Sequence, residues 1–174
     1  SSLTRIVKLI PRLKGWVAAN YPGTLTGITE YNWGAENHIN GATAQADILG
    51  IFGREGLELA ERWTTPPSSS PTFKAMQMYR NYDGAKSTFG DIRVSVSNSV
   101  DPDVLAIFAA QRSTDAALTV MLVHKSLTGP TNVPIVLTNF IGATNAQLWQ
   151  LTAANTITHL ADATVTNATL NLSL

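Results

Sequence analysis

Glu30 stands in the stretch GITEYNWGAENH (27–38), where a run that reads as a strand ends in a turn dense with aromatic and polar groups. An isolated carboxylate at the end of a buried strand is costly to desolvate, so it needs either a structural partner or a chemical task. At the carboxyl end of a parallel strand it would sit where open α/β sheets and barrels place catalytic groups. A carboxylate there can serve as a nucleophile, as in glycosidases, and retaining enzymes of that kind set it about 5–5.5 Å from an acid. The alternative is a strand-end glutamate paired with an arginine or capping the next helix. Residue types and spacing leave both readings open.

The neighbours divide the same way. Trp33 and Trp63 each follow a predicted strand closely, a position that suits a sugar-stacking platform or core packing. Tyr31 and Asn32 can hydrogen-bond Glu30 or a sugar hydroxyl, or simply hold their own loop together. Glu36, Glu55, Glu58 and Glu61 are further carboxylates, of a kind usually solvated or salt-bridged. His38, His124 and His159 are far apart and lack metal-ligand spacing. GIFGREG is rich in glycine but lacks the spacing and the Lys-Ser/Thr ending of a phosphate loop. Asn167-Ala-Thr and Asn171-Leu-Ser match the glycosylation sequon in a tail that is itself rich in Thr and Asn. Met76, Met78 and Tyr79 read as the buried side of a helix.

The elements that must position Glu30 follow from periodicity. Pro11 suits the first position of a helix, with Ile10, Leu13, Trp16 and Val17 at helical spacing and NYPG as its stop. LTGITEYNW reads as a strand with Thr26, Ile28 and Glu30 on one face. INGATAQADILGIFG predicts a helix with an apolar stripe of Ile39, Ala42, Ala46, Leu49 and Phe52. LELAERW reads as a short strand, although its Glu and Ala content also suits a helix, TTPPSSSP reads as a loop, and TFKAMQMYRNY as a third helix closed by DG at 83–84. Strands alternating with helices imply parallel pairing, and two strands cannot make a self-sufficient parallel sheet.

Beyond residue 84 the pattern changes. DIRVSVS, ALTVMLVHKS, VPIVLTNF, AQLWQLTAA and ATVTNATLNLSL are β-rich and punctuated by turn signals, the pattern of an antiparallel sandwich, while VLAIFAAQRS fits strand or helix, with strand the preferred reading. After Lys125 the only formally charged side chain is Asp162, which sharpens the division. The expected domains are therefore 1–84 and 85–174. The tail's aromatic residues, Phe89, Phe108, Phe140 and Trp149, bear on whether it is a carbohydrate-binding module or a scaffold, with exposure of Trp149 as the discriminator.

Composition sets the outer bounds. The 174 residues are 44% hydrophobic and 14% charged, with 12 basic against 12 acidic side chains and no cysteine. Balanced charge without a basic stripe argues against nucleic acid and against a polybasic membrane patch. The absence of cysteine excludes disulfides and thiolate metal sites. There is no apolar run of about 18 residues such as a membrane span requires. The opening SSLTRIVKLIPRLKG has neither an initiating Met nor a small-residue cleavage site, and ATVTNATLNLSL stops while still alternating, so both ends read as internal.

The stretch GITEYNWGAENHINGATAQADILGIFGREGLELAERWTTP, followed by PTFKAMQMYRNYDG, resembles the carboxyl-terminal part of family 44 of the glycoside hydrolases, the endoglucanases and xyloglucanases. The likeness runs from about Ile10 to the end and is looser in the β-rich tail. It implies an α/β plus all-β fold: 1–84 as the last part of a (β/α)8 barrel, strands seven (25–31) and eight (57–63) with their helices, and 85–174 as a β-sandwich. It implies retaining cleavage of internal β-1,4-glucosidic bonds, with Glu30 as nucleophile and Trp63 as a sugar platform; Tyr31 and Trp33 are further substrate-binding candidates. The family's Asn-Glu-Pro motif, which carries the acid/base glutamate, does not occur in this sequence, nor does anything corresponding to strands one to six. The expected partners are a β-1,4-glucan and an amino-terminal part of the same enzyme, without which activity on polysaccharide is expected to be negligible. No cofactor is required by the likeness; a structural calcium is compatible with it but is not readable from these residues. Secretion is the expected location.

Overall fold

The computed structural model describes residues 7–174; residues 1 to 6, part of the opening that reads as internal, lie outside them. The first part runs α1 (Leu9–Asn20), β1 (Gly27–Tyr31), α2 (Ile39–Glu55), β2 (Leu59–Arg62) and α3 (Pro71–Arg80). Strands β1 and β2 pair in parallel, with α2 as the crossover between them. Helix α2 starts at His38, whose Nδ1 accepts from the Asn40 N–H, and stops at Gly56, which takes the left-handed conformation (φ 65°) that a glycine adopts without steric cost. Ser70 caps α3 by accepting from the Phe73 N–H, and Pro71 supplies a first position needing no donor. In α1 the proline falls at the third residue rather than the first, still within the turn where no intrahelical donor is required.

Two apolar stripes differ from expectation. In α1 only Ile10 is buried, while Trp16 is 57% exposed, with the Arg12 guanidinium 5.2 Å from its ring centroid. Helix α2 is enclosed on more than one side. Phe52, with Ile48, Leu49 and Ile51, meets Ile10, Ile28 and Tyr31, whereas Ala46 and Ile51 meet Ala106, Phe108 and Val123 of the β-rich part. Gly50 permits that second contact: a Cβ there would stand 2.2 Å from the Phe108 ring. Tyr79, whose hydroxyl donates to the Ala46 carbonyl, and Lys125, paired with Asp47 at 2.7 Å, secure the same helix.

The second part is antiparallel. Strands β3 (Ile92–Val94), β4 (Leu105–Gln111) and β5 (Leu118–His124) form one sheet in that order. Strands β6 (Asn132–Val136) and β11 (Thr169–Ser173) pair, as do β7 (Asn145–Ala146) with β10 (Ala163–Thr164), and β8 (Trp149–Leu151) with β9 (Ile157–His159). VLAIFAAQ is indeed strand, its buried residues Ala106, Phe108 and Ala110 alternating as a half-covered sheet requires. Trp149 is half-buried, stacked on His159 at 4.4 Å and tilted against Tyr82 at 5.5 Å. Phe108 is buried and Phe89 packs on Tyr79. The tail therefore spends these aromatic faces on packing and presents no exposed row of them.

Candidate active site

Strands β1 and β2 do not keep simple alternation. Their register runs Gly27–Leu59, Ile28–Ala60 and then Tyr31–Arg62, so β1 carries one extra residue between Ile28 and Tyr31. A bulge of this kind re-aims side chains and is over-represented beside active sites. Ile28 and Tyr31 both turn toward the helices, where they join Ile10 and Phe52. The extra residue breaks the simple alternation that put Thr26, Ile28 and Glu30 on one face; Glu30 nonetheless lines, with Ile28 and Thr29, an open groove against Leu9, Ile10, Leu13 and Trp16 of α1. The premise that Glu30 is desolvated falls too, because its side chain is exposed. Among the described residues no hydrogen bond or ion pair engages its carboxylate, so neither the paired nor the capping role is filled.

Tyr31 is placed otherwise than the sequence suggested. It is only 8% exposed, its hydroxyl accepts from the Gln45 amide at 2.9 Å, and its ring meets Phe52 edge-on at 5.3 Å. It belongs to the core between sheet and helix, where its ring and hydroxyl are already engaged, and not to an open face that a sugar could reach. Trp63 follows the last residue of β2 and is 60% exposed; its N–H donates to the Tyr31 carbonyl at 2.9 Å, which continues the ladder past the strand's end. Carrying the alternation on from Arg62, which pairs with Tyr31, puts Trp63 on the face opposite that arginine. Trp33 lies further along the loop after β1, 56% exposed, with no described contact to Glu30.

Sequence reasoning missed the group that joins the two loops. Arg62 has a side chain only 5% exposed. Its guanidinium donates to Glu36 Oε1 at 2.8 Å, to Asn32 Oδ1 at 3.2 Å and to the Thr64 carbonyl. Asn32 in turn accepts from the Gly34 N–H at 2.7 Å and donates to the Trp63 carbonyl. Glu36 is thus the salt-bridged carboxylate that its type suggested; a buried arginine demands such a partner. The signal available beforehand was an arginine at the end of a strand that begins from the same register as β1.

At the opposite end of the pair, Glu58 binds α1, β1 and β2 together. It accepts from the Thr26 hydroxyl at 2.6 Å, the Thr26 N–H at 3.0 Å and Lys14 Nζ at 3.1 Å. Donation from the Thr26 hydroxyl, then its N–H, then Lys14, holds the carboxyl down at about 2. Glu55 pairs with Arg54. His38 caps a helix, His124 meets Thr131 at 2.8 Å, and His159 pairs with Asp162 at 3.2 Å. Among the described residues no three of His, Asp and Glu group closely enough to hold a metal ion, and no helix is long and apolar enough to cross a membrane.

No family model matches the sequence. Curated relatives do: the chain is 37% identical over 142 residues to endoglucanase A of Paenibacillus lautus and 34% identical over 142 residues to β-mannanase/endoglucanase A of Caldicellulosiruptor saccharolyticus. Each match takes in 81% of this chain but only 20% and 10% of those proteins. Among solved structures, CelM2, a bifunctional glucanase-xylanase from a metagenome library, superposes with a TM-score of 0.94 at 61% identity over 97% of this chain and 32% of its own. Cel44A, a family 44 endoglucanase from Clostridium thermocellum, gives 0.89 at 31% identity, and a family 44 xyloglucanase from Paenibacillus polymyxa, solved with xyloglucan, gives 0.87 at 27%; both matches cover 95% of this chain and 33% of theirs.

The class these likenesses define is the glycoside hydrolases. Within it the chain corresponds, in sequence and fold, to family 44, of whose solved members it spans about one third.

Proposed function

We propose that this chain carries the nucleophile half of a retaining endo-β-1,4-glucanase, and that β1 and β2 are strands seven and eight of its (β/α)8 barrel, with 1–84 completing the barrel and 85–174 forming its β-sandwich. The observation that carries the reading is Glu30: an exposed carboxylate at the carboxyl end of a parallel strand, beside a bulge, for which the described residues supply no hydrogen bond or ion pair, with the exposed Trp63 at the end of the neighbouring strand. In the first step a Glu30 oxygen bonds to C1 as the C1–O bond to the leaving sugar breaks, and an acid in the rest of the enzyme protonates that leaving oxygen. In the second, water attacks C1, gives its proton to the same group, and frees Glu30. General acid help of this kind is typically worth about 10²–10⁴-fold. Trp63 offers an aromatic face to the sugar ring, as its exposure allows.

The exposed apolar side chains Leu9 and Trp16 of α1, Leu25 just before β1 and Leu59 of β2 support further barrel neighbours around these elements in the complete enzyme. The substrate is a β-1,4-linked polysaccharide of the glucan or xyloglucan type, and xylan belongs in the assay panel because the relative at 61% identity is a glucanase-xylanase. A polymer substrate also implies a secreted enzyme.

The test is incubation of the complete enzyme with 2,4-dinitrophenyl 2-deoxy-2-fluoro-β-cellobioside, followed by peptide mass mapping. Its leaving group departs without acid assistance, so labelling reports the nucleophile alone. The expected label is on Glu30. A label on another carboxylate, or full activity of Glu30→Gln, overturns the assignment.

A further inference from the structure

We infer that Arg62 is a positioning residue for this site: it locks the loop that follows Glu30 to the loop that carries Trp63. The inference rests on the assignment of Glu30 as nucleophile and Trp63 as sugar platform.

The geometry is a closed ring of bonds. Arg62 reaches Asn32, two residues beyond Glu30, and the Thr64 carbonyl, one residue beyond Trp63. Asn32 completes the ring by donating to the Trp63 carbonyl. Glu36 holds the guanidinium in place from further along the first loop, at 2.8 Å. The ring uses neither the Glu30 carboxylate nor the Trp63 indole, only the Trp63 carbonyl, so none of its bonds competes with substrate for those groups.

Such an arrangement suits arginine and no other side chain. One planar fork must reach a carboxylate, an amide oxygen and a backbone carbonyl at once, and a lysine ammonium is a point charge on a flexible stem. The Arg62 side chain is nearly fully buried, and its Nε finds no partner among the described residues. A buried charge is tolerated only when paired, which Glu36 alone would achieve. The extra bonds to Asn32 and Thr64 exceed what neutralisation needs, and they run to the two segments whose relative placement the reaction depends on. Misplacement by about 1 Å can cost on the order of 10²-fold in rate.

The experiment uses the complete enzyme and compares Arg62→Lys, Arg62→Met and Asn32→Ala, alone and with Trp63→Ala. Rates are read on a soluble β-glucan and as the inactivation rate constant with the fluorinated cellobioside. Arg62→Lys keeps a charge for Glu36 but loses the fork. The expected result is a kcat and an inactivation rate lowered roughly 10- to 100-fold, with KM within about threefold because polymer binding is spread over other contacts. In the Trp63→Ala background the Arg62 substitutions should cost little more, since their effect passes through that residue. Asn32→Ala, a change at an exposed residue, should reproduce the loss if Arg62→Met does not fold.

Wild-type kcat in Arg62→Lys, or losses that multiply independently with Trp63→Ala, overturns the inference. So does a lowered melting temperature with wild-type kcat per labelled site, which is the signature of a purely structural arginine. Normal labelling of Glu30 with unchanged Arg62→Lys rates sinks this inference alone; failure of Glu30 to label sinks the underlying assignment and this inference with it.

Discussion

Replacing Tyr31 by phenylalanine distinguishes a core tyrosine from a sugar-binding one. The structure makes its hydroxyl the acceptor for Gln45 Nε2 at 2.9 Å, and Gln45 is only 1% exposed with its own Oε1 already lacking a partner among the described residues. Phenylalanine keeps the edge-on contact with Phe52 and removes only the oxygen, so the loss is that of a buried amide left with no bond on either side. Such a group costs about 1–3 kcal/mol. Urea denaturation of the complete enzyme, followed by tryptophan fluorescence, should show that destabilisation. The kcat/KM on soluble β-glucan should stay within about twofold, because a core tyrosine turned to the helices touches no sugar. Gln45→Met should give the same signature. The double variant should cost less than the sum of the two, since removing both ends of a buried bond leaves no orphan. A tenfold fall in kcat/KM with unchanged stability would refute the argument and return Tyr31 to the substrate side.

Gly50→Ala places a methyl against the Phe108 ring and should destabilise by about 1–3 kcal/mol, the usual range for overpacking, read as a lower urea midpoint with kcat retained. Glu58 titrates at about 2 in the folded chain against 4.5 ordinarily, so its contribution to stability is full above pH 4.5 and is lost as pH falls toward 2. Unfolding midpoints of wild type and Glu58→Gln should therefore differ at neutral pH and converge as pH approaches 2; a constant difference across that window contradicts the bond network around Thr26.

Much of this was legible in the sequence for definite physical reasons. The helices over INGATAQADILGIFG and TFKAMQMYRNY were readable from their apolar spacing, and their ends are set by Gly56, which stops α2 two residues beyond that stretch, and by Ser70-Pro71, which opens α3 one residue before Thr72. Period-2 patterning found β4 and β5 because one face of that sheet packs on α2. The misreadings share another cause. The faces of α1 and α2 depend on neighbours contributed by distant segments, so Trp16, at core spacing, is left uncovered by the described residues, while α2 is enclosed where a single stripe was expected. A bulge is still harder to read, because one inserted residue leaves no mark in composition and reverses the face of everything beyond it.

The insertion in β1 bears on how the candidate site is held. Ile28 and Tyr31, three residues apart, both pack with Ile10 and Phe52, which strict alternation would forbid. The extra residue also brings Tyr31 into register with Arg62, so the two strands end in a tyrosine anchored by Gln45 beside an arginine bonded to both following loops. Those loops are joined through Arg62, Asn32 and backbone carbonyls, and none of these bonds uses the Glu30 carboxylate or the Trp63 indole. On the proposed reading, the two groups offered to substrate are therefore held through their neighbours rather than through their own side chains, and the Arg62 and Asn32 substitutions test that directly.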